Sequence, residues 1–326
     1  MGFTSKILFP IIFLLILFIL SLSIGSYKVY NPVELASILL GGDSIDKAII
    51  HYRFWRTISA LIVGLGLAIS GLTIQRILNN PLADPYILGV SSGSALAYLI
   101  VLTLGYNNLL LWHVASFTGG LATYALVVSI ATLYGLSSLS IIVAGVSITY
   151  LLTGITVIII STLGPQVPFA LGWLFGSVAF TPRDTVITST LIVSFSLVII
   201  AYYRGYLTSL LLGEEVSEAH GVNVRLLRLI LSALVALIVS ALVAVSGPVG
   251  FIGLAAPWLS RFIVGADFTR LLILSAIIGS CIGLGSDIVV RIIGGGVELP
   301  LTSITSIIGA PLLVYLSIKS RSVGRL

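Results

Sequence analysis

The sequence predicts an all-α, polytopic bundle of about ten membrane-crossing helices, and three observations carry that reading. Of 326 residues, 58% are hydrophobic and only 8% charged, where a soluble domain carries about 25% charged residues. Apolar runs of about 18 residues or more, each able to cross the hydrocarbon core as a helix, recur along the whole length. No long polar segment interrupts them. With a mean hydropathy of +1.20, the chain lacks the polar surface to cover a water-facing globule. Residues 1–326 therefore read as one transmembrane domain with no soluble enzymatic domain attached. A closed β-barrel would need alternating strands of about ten residues. These runs are too long and too uniformly apolar for that.

Taken in order, the spans fall near 7–27, 57–78, 86–104, 111–133, 139–162, 185–203, 225–246, 248–264, 271–290 and 303–318. The first follows Lys6 and exceeds the length of a secretory h-region, with no clear cleavage site after it, so it reads as a retained helix. The second is opened by Arg53-x-x-Arg56. Before the third, Pro81 and Pro85 forbid a continuous helix, and the chain must turn. The fourth and fifth flank the uncharged loop 135–140. The seventh follows the acidic segment 213–223, and the eighth has only Gly247-Pro248 as punctuation before it. The ninth carries Asp287 and the tenth Pro311.

Lysine and arginine placement orients the bundle. With the N-terminus in the cytoplasm, Lys6, Arg76, Arg204, Arg225, Arg228, Arg261, Arg270, Lys319, Arg321 and Arg325 lie inside. Lys28, Lys47, Arg53, Arg56, Arg183 and Arg291 lie outside. Ten spans return the C-terminus to the cytoplasm as well. There is also an internal echo. Arg53-x-x-Arg56 opens a span reaching Ser70-Gly71, and Arg225-x-x-Arg228 opens one, crossing the other way, that reaches Ser246-Gly247. The echo fits an inverted repeat of 53–162 against 225–318, a common transporter plan. The abundance of small residues offers coincidence as the alternative.

Few groups in the spans carry chemistry. Asp287 lies near an outer helix end, four residues before Arg291, and reads as an (i, i+4) pair rather than a proton relay. His51, His113 and His220 share no metal-ligand spacing, and the single Cys281 excludes an intrachain disulfide or a cysteine-built metal site. No metal site, cofactor or catalytic residue is expected, and no P-loop or hydrolase motif occurs. The net charge of +5 forms no basic stripe, so nucleic acid is not an expected partner. The 33 glycines suit close helix packing. A carrier with no buried carboxylate to couple to ions, and no nucleotide site, must be driven by a partner or be a passive channel.

Four segments stand out: 79–93 with Asn80-Pro81-Leu82-Ala83-Asp84-Pro85, the acidic 213–223, the Gly- and Pro-rich 246–261, and 286–311 with Glu298-Leu299-Pro300 and Gly309-Ala310-Pro311. R-x-x-R-T, S-G-x-x-x-Q, N-P-L-A-D-P-x-x-L-G-V-S-x-G, G-x-x-G-x-x-P and G-A-P occur in that order over most of the chain. Together they resemble the FecCD-type permeases of ABC importers for iron–siderophore, haem and cobalamin. Two departures stand out. Pro257-Trp258 replaces a usual proline–histidine pair, and His220-Gly221 replaces a usual Leu-Gly.

The resemblance implies a type II ABC importer permease in the cell membrane, without an ATPase site of its own. It would work as one of two copies, above two ATPase subunits and below an extracytoplasmic binding protein that delivers a metal chelate. Arg53, Arg56 and Arg291 would be docking cations for carboxylates on that protein, the competing role being anchorage to lipid headgroups. Asn80, Leu82, Ser137 and Ser138 would form cytoplasmic gates. Gly213, Glu214, Glu215, Ala219, Gly221 and Val222 would form the ATPase-coupling element. The aromatic segment 169–177 would shape the outer mouth or belong to the interfacial belt. An ion-coupled secondary transporter is the rival from another class.

Overall fold

Apolar periodicity and close-packing glycines produce a helical bundle in the computed structural model, which describes residues 3–323 apart from 27, 42, 43, 107, 180, 211, 212, 220 and 222. The helices are α1 (Phe3–Ser23), α2 (Pro32–Gly41), α3 (Ser44–Ile77), α4 (Val90–Thr103), α5 (Leu109–Leu133), α6 (Ser138–Thr162), α7 (Val167–Leu174), α8 (Arg183–Tyr202), α9 (Arg204–Ser209), α10 (Glu214–Ala219), α11 (Val224–Ser246), α12 (Ile252–Val264), α13 (Phe268–Gly294) and α14 (Leu301–Val323). Helices α1, α3, α5, α6, α8, α11 and α13 are long and apolar enough to cross a bilayer. Three shorter apolar helices, α4, α12 and α14, stand where the other three expected spans fall.

Two helices form the centre. In α3 and α11, 83% and 78% of the most apolar window is buried, against 17% in α1 and 28% in α6. The centre can be this tight because glycines let backbones touch. A methyl group on Gly64 of α3 would meet the Gly279 carbonyl of α13, and one on Gly71 would meet the Gly253 carbonyl of α12. The perimeter is apolar and exposed, as at Phe9, Tyr150, Val198 and Ile307, which suits contact with lipid rather than water.

Three of the helix starts that differ from the sequence expectation do so for a physical reason visible in the structure. Helix α3 begins at Ser44, not near 57, and its 34 residues span about 51 Å at 1.5 Å per residue. Its outer turns are amphipathic, with Ile50 packed against Tyr30 and Ile38, so their interspersed charges hide them from hydropathy. Helix α4 starts at Val90 rather than 86, after a 3-10 turn (Pro85–Leu88) and Gly89 at φ +74°. Helix α12 starts at Ile252 rather than 248, after Phe251 at φ +68°. The third and eighth spans are thus part irregular and part helix.

The two irregular stretches cover one another. The Tyr86 hydroxyl donates to the Val249 carbonyl at 3.0 Å and accepts from the Val249 amide at 2.9 Å. The Trp258 indole donates to the Pro81 carbonyl at 2.9 Å. Unpaired backbone within a bilayer is tolerated only where protein surrounds it, and Leu88, Val249 and Ile252 are all buried.

Candidate functional site

At the end of the bundle where α1 closes, its C-terminus leaves carbonyls without intrahelical partners, and arginines from two other helices satisfy them. Arg53 of α3 donates to the carbonyls of Leu22, Ser23 and Lys28 at 3.1, 2.8 and 2.6 Å. Arg291 of α13 donates to the carbonyls of Ser21 and Ile24 at 2.7 and 2.8 Å. Cations at a helix C-terminus also oppose its dipole. Arg291 turns its other edge to Asp287, 2.6 Å away. The expected (i, i+4) pair is therefore present. It is also larger than expected, because the Arg56 Nε donates to the second Asp287 oxygen at 2.9 Å. Arg56 in turn holds Glu298 with two hydrogen bonds, of 2.6 and 3.1 Å.

The three arginines named from the sequence as docking cations thus meet at one end of the bundle, each engaged within the chain. Arg53, Arg56 and Arg291 are at most 6% exposed. They point inward, because helix-end carbonyls and the Asp287 carboxylate hold their guanidiniums. Glu298, one-third exposed, is the member of this cluster that faces out. Glu298 also borders a cavity of about 270 Å³, lined by Tyr98, Trp112, His113, Trp173 and Thr181 among others. The Tyr98 and Trp173 rings stack at 4.0 Å, and Gly172, Trp173 and Ser177 of the aromatic segment 169–177 line this cavity. Helix α7, unforeseen from the sequence, supplies Trp173. Its end is tied to α14 by the Leu301 amide donating to the Gly176 carbonyl at 2.8 Å. More exposed cations of this end sit elsewhere. Arg183 lies over the Trp55 ring at 5.2 Å, in a shallow groove with Lys47 and His51.

At the opposite end, Ser138, one of the four gate candidates, is held by a residue that sequence reasoning left without a role. Arg228 of α11 donates to the Ile77 carbonyl at 3.2 Å, the Leu136 carbonyl at 2.9 Å and the Ser138 hydroxyl at 3.0 Å. This one side chain joins the end of α3, the α5–α6 turn and α11. Ser137 accepts from the Ser140 amide at 3.1 Å and caps α6. Asn80 accepts from the Leu82 amide at 3.0 Å, and the Leu82 side chain is exposed. The signal for Arg228 was in the sequence: it is the second arginine of the echoed R-x-x-R.

The acidic segment forms the short helix α10 between Gly213 at φ +103° and Gly221 at φ +81°. These left-handed positions suit glycine. The Ser217 amide and hydroxyl both donate to the Gly213 carbonyl, at 3.1 and 2.9 Å, and the helix closes at Ala219. Val222 and His220 lie outside the described residues, as do the side chains of Glu214 and Glu215. Among the described residues, no group of three or more His, Cys, Asp or Glu could hold a metal ion.

Comparison with known proteins places this architecture. The FecCD transport family matches residues 13–319. An ABC transporter permease protein of Methanocaldococcus jannaschii is 32% identical, covering 97% of this chain and 95% of its own. The hemin transport system permease protein of Yersinia pestis is 33% identical, with 95% of each chain covered. The cobalamin import system permease protein of Halobacterium salinarum is 34% identical over 84% of this chain and 74% of its own. Among solved structures, a metal-chelate type ABC transporter in an inward-facing conformation matches with a TM-score of 0.86 and 31% identity, over 97% of this chain and 99% of that one.

Proposed function

The chain belongs to the FecCD transport family, and from that membership we propose that it is the membrane-spanning permease subunit of an ATP-binding cassette importer, carrying a metal chelate (iron–siderophore, haem or cobalamin) into the cytoplasm. The observation that carries the energetics is the state of Asp287. It is fully buried and held between Arg56 and Arg291, so it is not available to relay protons or bind sodium. Drive then comes from separate ATPase subunits, and the chain carries no ATPase site. Two of the relatives named above are permeases of a hemin and a cobalamin system, and that range supports a chelate without choosing one.

Two copies of the chain pair around the pathway, and two ATPases sit beneath, engaging α10 and its flanking residues Gly213, Glu214, Glu215, Ala219, Gly221 and Val222. Both termini face the cytoplasm. Asn80, Leu82, Ser137 and Ser138 close the inner side of the pathway, and Arg228 supports the geometry of that closure. Residues 53–162 and 225–318 form an inverted repeat. The pattern of a long helix, a left-handed turn, a short helix and two further spans occurs in both halves and supports this reading.

On the outer face an extracytoplasmic binding protein docks at the arginine cluster. Arg53 and Arg291 hold the end of α1, and Arg56 exchanges Glu298 for a carboxylate of the partner. Bidentate arginine–carboxylate geometry suits such an exchange. Glu298→Gln should therefore tighten binding of an acidic delivery protein several-fold, because it releases the internal competitor. Unchanged affinity in a titration would remove Arg56 from docking.

The decisive experiment for the whole reading is reconstitution. Proteoliposomes holding the permease with its ATPase should accumulate chelate when ATP is supplied, and should stop when the ATPase is inactivated. Uphill uptake by the permease alone on a proton or sodium gradient would make it an ion-coupled carrier instead.

A further inference from the structure

The inner end of α12 gathers more positive charge than the protein offsets. Lys6 donates to the Ile263 carbonyl at 2.8 Å. Arg76 donates to the Ala266 carbonyl at 3.2 Å, just beyond the helix. Arg261 lies in the last turn, over the Trp258 ring at 5.7 Å. A helix C-terminus carries about half a negative charge, while three full positive charges converge on this one. Among the described residues no carboxylate lies within ion-pair distance of Lys6, Arg76 or Arg261. Asp267, next along the chain, is spent on capping α13 and on Arg270.

Arg76 is the most telling of the three. It is only 8% exposed, yet a guanidinium has five N–H donors and one carbonyl accepts from it here. Its remaining contact is the Phe268 ring at 5.8 Å. A buried cation left this short of acceptors is costly. An anion supplied from outside the chain would relieve it.

We propose that Lys6, Arg76 and Arg261 form a binding site for the phosphate of an anionic phospholipid in the adjoining leaflet. What commits the site to lipid is the surface beside it. From Lys6 onward α1 exposes Leu8, Phe9 and Ile12, which lie where acyl chains below a headgroup would run. Helix α1 is the least buried of the spanning helices, so the site opens on the perimeter of the bundle. Basic pockets between spanning helices are a recurrent way of holding anionic headgroups. The inference goes beyond transport. It depends on the chain being membrane-embedded, and on the proposed orientation only for naming the leaflet as cytoplasmic.

The test uses the full chain in nanodiscs of mixed phosphatidylglycerol and phosphatidylcholine, with retained lipid read by native mass spectrometry. The wild-type chain should retain phosphatidylglycerol preferentially. The double variant Lys6→Gln, Arg261→Gln should lose that preference about tenfold, while Arg225→Gln, an exposed cation at the same end, should not. Both Lys6 and Arg261 lie nearer the surface than Arg76, so the double variant reads the site even if Arg76→Gln does not fold. Equal retention by wild type and double variant overturns the proposal. So does an equal loss in Arg225→Gln, or displacement of the lipid by millimolar inorganic phosphate, which would mark a free-anion site. A double variant that keeps its lipid but loses the ATPase would assign these cations to the partner protein instead.

Discussion

Asp287 has two arginine partners, and only one could be read from the chain. Arg291 stands four residues away on the same helix, where side chains meet by construction. Arg56 stands 231 residues away, and nothing in spacing or composition links the two. The same holds for Arg53 and Arg291, which resemblance cast as outward-facing cations. Within the chain their acceptors are backbone carbonyls at the end of α1, and sequence says little about which helix end lies near which side chain. The consequence is measurable. Asp287→Asn removes a carboxylate with no exposed surface that serves two buried guanidiniums, so stability should fall by about 3–5 kcal/mol, seen as a lowered unfolding midpoint in detergent. Glu298→Gln acts on a partly solvated partner, and should cost no more than about 1 kcal/mol in the same measurement. Equal losses in the two variants would mean that the buried triad is not what holds the outer end.

Helices were the most legible elements, since ten apolar runs gave ten helices in order. Their interruptions were harder to read. A hydropathy window averages over the residues that unwind the starts of the third and eighth spans, and Phe251 gives no warning of a left-handed conformation. Helix α7 was hidden because eight residues between a proline and a glycine resemble a loop. Packing between elements can be tested at the glycines. Gly64→Ala would push a methyl into the α13 backbone and should destabilise by about 1–3 kcal/mol, as overpacking does. Gly285→Ala meets nothing within 4 Å, and should be neutral or gain up to about 1 kcal/mol from better helix propensity. Unfolding midpoints of the two variants should therefore move apart, and a shared response would argue against a tight α3–α13 crossing.

For the molecule as a whole, composition alone was enough to place it in a membrane, because a chain with 8% charged residues has no other solvent in which to be stable. The proposed docking and coupling surfaces were less legible, since they depend on which polar groups remain unengaged after folding. Burial also grades the bundle from centre to edge, and hydrogen exchange should follow it. Amides of α3 and α11 should exchange slowest, while those of α10 and the end of α14 should exchange fastest. Uniform protection across all fourteen helices would contradict the burial gradient. Where α3 lies on α13 through Gly64, Gly279 and Gly283, main chain rests on main chain, with no flexible side chains between them to absorb a shift. Such a seam behaves as a fixed frame. On the proposed ATPase-driven mechanism, a working stroke is expected to be taken up by the less buried peripheral helices, around a keel that stays still.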